Sequence, residues 1–176
     1  FNERQAYELE STLRGELEAL TGSLRTRHPF VAGTEFTPKR NNKTSGYFEG
    51  CTFTRLKEFN PTSRDHIAWV MQQHHGWEPT QFTDKGKPVI DEVVLKDIGT
   101  PIALDFFRCL ELTKSLGMLS EGVNAWLKLV KNDRIHHHCS VATNTFRCAH
   151  RKPNLAQVPS DAEFRQLFTA TPGQVM

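Results

Sequence analysis

Ala6, Leu9, Leu13, Leu17, Leu20 and Leu24 recur at steps of three and four, with acids and arginines between them. Apolar residues at that period line one stripe of a helix, so the opening segment predicts an amphipathic helix of about six turns. Gly22 is expected to fray its end. The period is then lost. Pro29, Gly33, Pro38, Asn41, Asn42, Gly46 and Gly50 interrupt any helix over residues 25–60. Within that stretch Tyr47-Phe48 and Cys51-Thr52-Phe53-Thr54 are short β-type runs that suggest one hairpin. The stretch exceeds an ordinary connection, which points to a functional insertion or to partial disorder.

Helical spacing returns after Asn60-Pro61-Thr62-Ser63-Arg64-Asp65, a helix start with Thr62 or Ser63 as N-cap. Ile67, Val70 and Met71 follow, and Gly76 ends the helix. Thr83 to Pro88 predicts a tight turn between extended pieces. Asp91 opens a short helix through Val94 and Leu95. Residues 101–117 predict another, with Ile102, Phe106, Cys109, Leu110 and Leu112 mainly inward. Ser120-Glu121 begins a further helix holding Ala125, Trp126, Leu129 and Val130. Residues 134–147 are rich in Thr, Val and His without helical spacing and read as two strands. Asp161 to Phe168 reads as a last short helix or turn. The fold class expected is α+β, mainly helical.

Hydrophobic residues make up 38% of the 176, enough for a core. Net charge is only +2, but its distribution is uneven. Residues 1–24 carry five acids and two bases, net −3. Residues 25–43 carry Arg25, Arg27, Lys39, Arg40 and Lys43 against Glu35, net +4. Residues 131–160 carry Lys131, Arg134, Arg147, Arg151 and Lys152 against Asp133, again net +4. Two basic segments on a balanced chain suit contact with a polyanion, the plain alternative being solvated loops. Cys51, Cys109, Cys139 and Cys148 form no CxxC pair, so a reducing compartment such as the cytoplasm is expected. No apolar run is long enough to span a membrane. The chain opens at Phe1 inside a helical pattern, without signal peptide or initiator Met, which reads as a fragment of something longer.

The densest chemical cluster is Arg134-Ile-His136-His137-His138-Cys139, followed by Thr145-Phe-Arg147-Cys148-Ala-His150. Cys139, Cys148 and His150 could meet across a hairpin as zinc ligands. Adjacent histidines on a strand point to opposite faces, however, and the spacing matches no standard zinc site. A hydrolase would need a nucleophile with a base and an orienting group, and no GxSxG elbow accompanies Ser140 or Thr145. No GxxxxGK[ST] phosphate loop is present. The stretch from Thr145 to Pro159 differs in kind. It places Arg147, His150, Asn154 and Gln157 in a Pro-bounded extended segment. Arg, Asn and Gln can donate hydrogen bonds to purine N3 and pyrimidine O2, the minor-groove acceptors of every base pair. A surface loop whose Asn caps a turn would carry the same residues.

Thr145–Pro159 resembles the T-G-R…P-N-L-x-x-[IV]-P signature of the DNA polymerase I family (family A), with Phe146 standing where the family has glycine. His150 and Asn154-Leu-Ala-Gln-Val-Pro159 look most like the branch from short-tailed bacteriophages. Phe59 to His66 resembles the start of the family's second thumb helix, and Phe82 to Pro88 with Asp91, Glu92 and Leu95 its thumb turn. Ser120-Glu-Gly…Ala125-Trp126-Leu127 resembles the phage branch. Arg165-Gln-Leu-Phe168 resembles the R-x-x-F before the first catalytic strand. The resemblance runs along the chain except for residues 25–55.

It implies that residues 1–131 are the thumb, with 25–58 inserted between its first two helices, and that 132–176 open the palm, stopping before the first catalytic Asp. It implies primer extension with deoxynucleoside triphosphates and Mg2+ in the intact enzyme, whose metal ligands lie outside these residues. The fragment alone is then expected to bind primer-template DNA and not to copy it. Arg147 takes the place of the primer-terminus arginine, and Asn154 and Gln157 of duplex-contacting amides. His150, Lys85, Lys87 and Lys114 are further candidates for DNA contact, as are Arg25, Arg27, Lys39, Arg40 and Lys43. Residues 25–58 fall where the phage branch docks a processivity protein. A stand-alone DNA-binding or processivity module, or one part of a split polymerase, is the alternative.

Overall fold

The computed structural model describes residues 1–141 and 148–170. The chain is α+β and mainly helical. It forms two compact units, one of Phe1–Leu17 with Leu112–Met176, the other of Glu18–Glu111. Among the described residues, no helix is long and apolar enough to cross a membrane.

Helix α1 spans Glu3–Arg27 and runs past Gly22, where the sequence suggested fraying. Leu24, fully buried, carries the apolar stripe one more turn. The hydroxyls of Thr21 and Thr26 donate back to the carbonyls of Glu18 and Gly22 at 3.2 and 3.0 Å. Arg25 and Arg27 in the last turn complement the negative end of the helix dipole.

In the Glu18–Glu111 unit, strands β1 (Phe30–Phe36) and β2 (Phe53–Glu58) form an antiparallel hairpin with Phe30 opposite Glu58 and Phe36 opposite Phe53. The expected hairpin of residues 47–48 and 51–54 is corrected. Tyr47 makes only an isolated bridge to Asn42, and the second strand begins at Phe53. Gly33, read as a breaker, hid the first strand. It lies where the register shifts, and a Cβ there would stand 2.7 Å from the Arg55 carbonyl oxygen. Glycine lets the two strands approach.

Helix α2 (Arg64–His75) starts after Ser63 and ends at Gly76 as expected. Ser63 makes no side-chain cap; Asn60 Oδ1 instead accepts from the Thr62 N–H and hydroxyl at 3.0 and 2.8 Å. The turn at 83–88 is closed by the Thr83 N–H donating to the Lys87 carbonyl at 2.8 Å. Asp91 caps α3 (Glu92–Ile98), accepting from the N–H groups of Val93 and Val94 at 3.0 and 2.9 Å. Helix α4 covers Pro101–Leu116. Phe59, Ile67, Val70, Met71, Leu95 and Phe106 are buried in this unit.

In the other unit α4 gives way to a π-helical turn, Gly117–Glu121, so Ser120-Glu121 ends a helical segment and does not begin one. Gly122 leaves in extended conformation and its N–H donates to the Gly117 carbonyl at 2.8 Å. A Cβ at Gly122 would lie 2.4 Å from that carbonyl oxygen, which only glycine avoids. Ala125 then precedes a single turn, α5 (Trp126–Leu129), and Val130 belongs to a strand. Ala6, Leu13, Leu112, Leu116, Leu119, Trp126, Phe164 and Leu167 form the core. The Trp126 ring meets Phe1, Phe164 and Phe168 edge-on at 6.4, 6.1 and 5.2 Å.

Strands β3 (Val130–Lys131) and β4 (Arg134–Ile135) pair, as do β5 (His138–Ser140) and β6 (Ala149–Arg151). Of the two strands expected over 134–147, the described residues show two short ones within 134–140, each with a partner outside that range, and residues 142–147 lie outside the described residues. Helix α6, Ala162–Arg165, occupies the expected last helical segment.

Candidate nucleic-acid interface

Asn154 and Gln157 are both exposed and bracket a 3-10 turn, Leu155–Gln157. Pro153 before them is buried, and Leu155 and Val158 pack on the core of Phe164, Leu167 and Trp126. The apolar residues fix the turn to the unit while its polar residues stay in solvent. Asn154 Oδ1 accepts from the Ala156 N–H at 3.2 Å. That capping bond uses the acceptor of the side chain and leaves its Nδ2 donor for another partner. Both residues are exposed amides with N–H groups that can donate to a ligand.

His150, in β6, is half-buried. Its ring stacks on His137 at 5.2 Å with an interplanar angle of 16°, and its Nδ1 is buried without a hydrogen-bond partner among the described residues. Arg147, the residue given the leading role, lies outside the described residues together with Thr145 and Phe146. Lys114 is exposed in the last turn of α4 and belongs to the same unit.

The remaining candidates lie in the Glu18–Glu111 unit. Arg27 Nη2 holds Asp105 Oδ2 at 2.6 Å, and Lys87 Nζ pairs with Asp65. Those charges already have carboxylate partners, so a phosphate would compete for them. Arg25 is exposed on α1, Lys85 at the turn, and Lys39, Arg40 and Lys43 in the connection between β1 and β2.

Arg55 and Lys57, missed in the sequence, add two exposed cations along β2. Phe53, Arg55 and Lys57 fall at every second position, which places them on one face of the strand. The Arg55 guanidinium lies 4.8 Å from the Phe36 ring centroid. Phe36, Tyr47 and Phe53 pack together with centroids 4.9–6.0 Å apart. The alternation of Phe53-Thr54-Arg55-Leu56-Lys57 was the available signal, obscured because the β-type run already starts at Cys51, two residues ahead of the strand.

Among the described residues, no three His, Cys, Asp or Glu side chains are grouped so as to hold a metal ion. Cys139 faces His150 across the β5–β6 ladder, but the pair recruits no third ligand among them.

No profile of a known protein family matches the chain. The chain is 38% identical over 157 aligned residues to the DNA-directed DNA polymerase of Enterobacteria phage T3 and 37% identical over 157 to that of Escherichia phage T7. Each match covers 77% of this chain and 22% of the relative, so the chain spans about a fifth of the relatives' length. The phage-polymerase likeness read from the motifs is thus a similarity along most of the chain.

Proposed function

We propose that this chain is a segment of a DNA-directed DNA polymerase and that it grips the primer-template duplex. The observation that carries the reading is the 38% identity along 77% of the chain to a phage enzyme of that name. The geometry around Asn154 and Gln157 supports the finer part of it. On this reading residues 1–131 are thumb, with 25–58 inserted, and 132–176 begin the palm. Deoxynucleoside triphosphates and Mg2+ are engaged elsewhere in the enzyme.

A polymerase must hold any sequence. Minor-groove acceptors are common to all correct pairs, and a mismatch displaces them. Arg147, Asn154 and Gln157 would then lose partners and extension would slow. Leaving such a polar contact unmade costs about 1–3 kcal/mol, roughly tenfold in rate. The basic residues supply attraction to phosphates without reading sequence.

The test is Arg147→Ala in a polymerase containing this segment and the catalytic palm. Extension should slow by about tenfold or more with the melting temperature unchanged. A lowered melting temperature with normal extension per folded molecule would assign Arg147 a structural role and overturn the contact.

A further inference from the structure

The connection between β1 and β2, residues 37–52, brings Tyr47 back onto the end of the ladder. Phe36 and Phe53 are the last opposed pair there, and residues opposed across a ladder share a face. The Tyr47 ring meets Phe36 edge-on at 5.0 Å and lies 4.9 Å from Phe53 at 59°. Backbone hydrogen bonds fix that position. The N–H groups of Asn42 and Tyr47 donate to each other's carbonyls at 2.8 and 2.9 Å, and Asn41 Oδ1 accepts from the Glu49 N–H at 2.8 Å. No residue from 32 to 58 is buried, so the three half-buried rings have no core of their own behind them. Phe48, beside Tyr47 in the chain, is 63% exposed.

Cations accompany the rings. Over residues 36–57 Lys39, Arg40, Lys43, Arg55 and Lys57 stand against Glu49 alone, net +4. All five are exposed, and none holds a carboxylate among the described residues. The Arg55 guanidinium lies 4.8 Å from the Phe36 ring centroid. Cations alone would suit a duplex or a single strand, because both present phosphates. The rings discriminate between them. Bases in a duplex stack on one another, whereas an unpaired base offers its π-face to an aromatic side chain.

We propose that this end of the β1–β2 hairpin binds single-stranded DNA, with bases stacked on Tyr47 and Phe48 and phosphates drawn by Lys39, Arg40, Lys43 and Arg55. Every base has a π-face, so the surface reads no sequence. On the proposed polymerase reading the strand is unpaired template, and that identification of the strand rests on it.

The test measures fluorescence anisotropy of a labelled oligothymidylate about 15 nucleotides long, of an abasic strand of equal length and charge, and of a blunt duplex. The unaltered 176-residue chain should bind the abasic strand at least about fivefold more weakly than the oligothymidylate. Tyr47→Leu and Phe48→Leu keep apolar bulk and remove the π-face. Each should weaken binding of the oligothymidylate and leave the abasic strand and the blunt duplex unaffected. Arg55→Gln should weaken both single strands. Equal affinity of the unaltered chain for the two single strands would overturn the stacking surface and leave a basic loop. So would leucine variants that bind oligothymidylate as tightly as the original chain. Polyglutamate of matching charge, bound as tightly, would mark a surface for an acidic protein segment and overturn it too. Blunt duplex bound without oligothymidylate would sink this surface alone, whereas oligothymidylate bound without duplex would sink the duplex grip alone.

Discussion

Asn154 caps a turn with its side-chain oxygen, and on the proposed reading its nitrogen donates to the duplex. Asn154→Ser separates them, because serine can still cap but has no amide donor. The variant should keep its melting temperature and lose about 1 kcal/mol of duplex affinity, roughly fivefold. Equal affinity in a titration would reduce Asn154 to a cap. The motif made this residue legible, since Pro-Asn-Leu could be read from the sequence. The consumption of its oxygen was one of two readings the sequence left open, a turn cap or a groove contact, because capping depends on the local backbone. His28 offers a second residue-level test. Its pKa is lowered by desolvation, then by His74, His75 and Arg27, and that of His75 by desolvation, then His74 and Arg27. The rings of His74 and His75 lie 5.2 and 5.5 Å from that of His28. Below the ordinary 6.5 the unfolded chain takes up protons that the folded cluster resists, so stability falls as pH falls. Thermal melts from about pH 7.5 to 5.5 should show a falling midpoint, less steep in His28→Asn. Parallel slopes would remove the cluster from the acid sensitivity.

At the scale of elements, helices with strong periodicity and end signals were legible: α2 with Gly76, α3 with Asp91, and the inward face of α4. Three of the misreadings involve a glycine. Gly22, Gly33 and Gly122 look alike in sequence, yet one sits inside a helix, one in a strand and one after a π-helical turn. What distinguishes them is the neighbouring backbone, as the close approaches at Gly33 and Gly122 demonstrate. Gly33→Ala should therefore loosen the β1–β2 hairpin, seen as faster amide exchange at Ala32 and Lys57 with little change in the Leu112–Met176 part. Unchanged exchange would mean that the strands absorb the Cβ. The connection of this hairpin carries three of the proposed phosphate contacts, Lys39, Arg40 and Lys43, and the last turn of α1 carries Arg25 and Arg27. Neutralising Arg25, Arg27, Lys39, Arg40 and Lys43 together should flatten the dependence of log affinity on log salt, by about 0.9 for each phosphate that the variant leaves unneutralised. Because Arg27 already holds Asp105, its share should be smaller than that of Lys39 or Arg40. An unchanged slope would make the basic connection a solvated loop.

For the molecule as a whole, the fold supplies two cores and a rigid place for a polar turn. Trp126 holds the Asn154 region's unit together, and Trp126→Ala should cost about 3–5 kcal/mol. The 176-residue chain alone should extend no primer at any magnesium concentration, since the resemblance assigns the catalytic carboxylates to sequence outside it. Gripping the duplex is the part of polymerase function that this chain should retain. The most direct test is equilibrium binding of the chain to primer-template duplexes of unrelated sequence, titrated across salt, beside its Arg147→Ala variant. The account predicts equal affinity for every matched sequence, a linear fall of log affinity with log salt, and weaker binding by the variant at each salt concentration. Failure to bind duplex at low salt, or a variant that binds as tightly as the original chain, would contradict it.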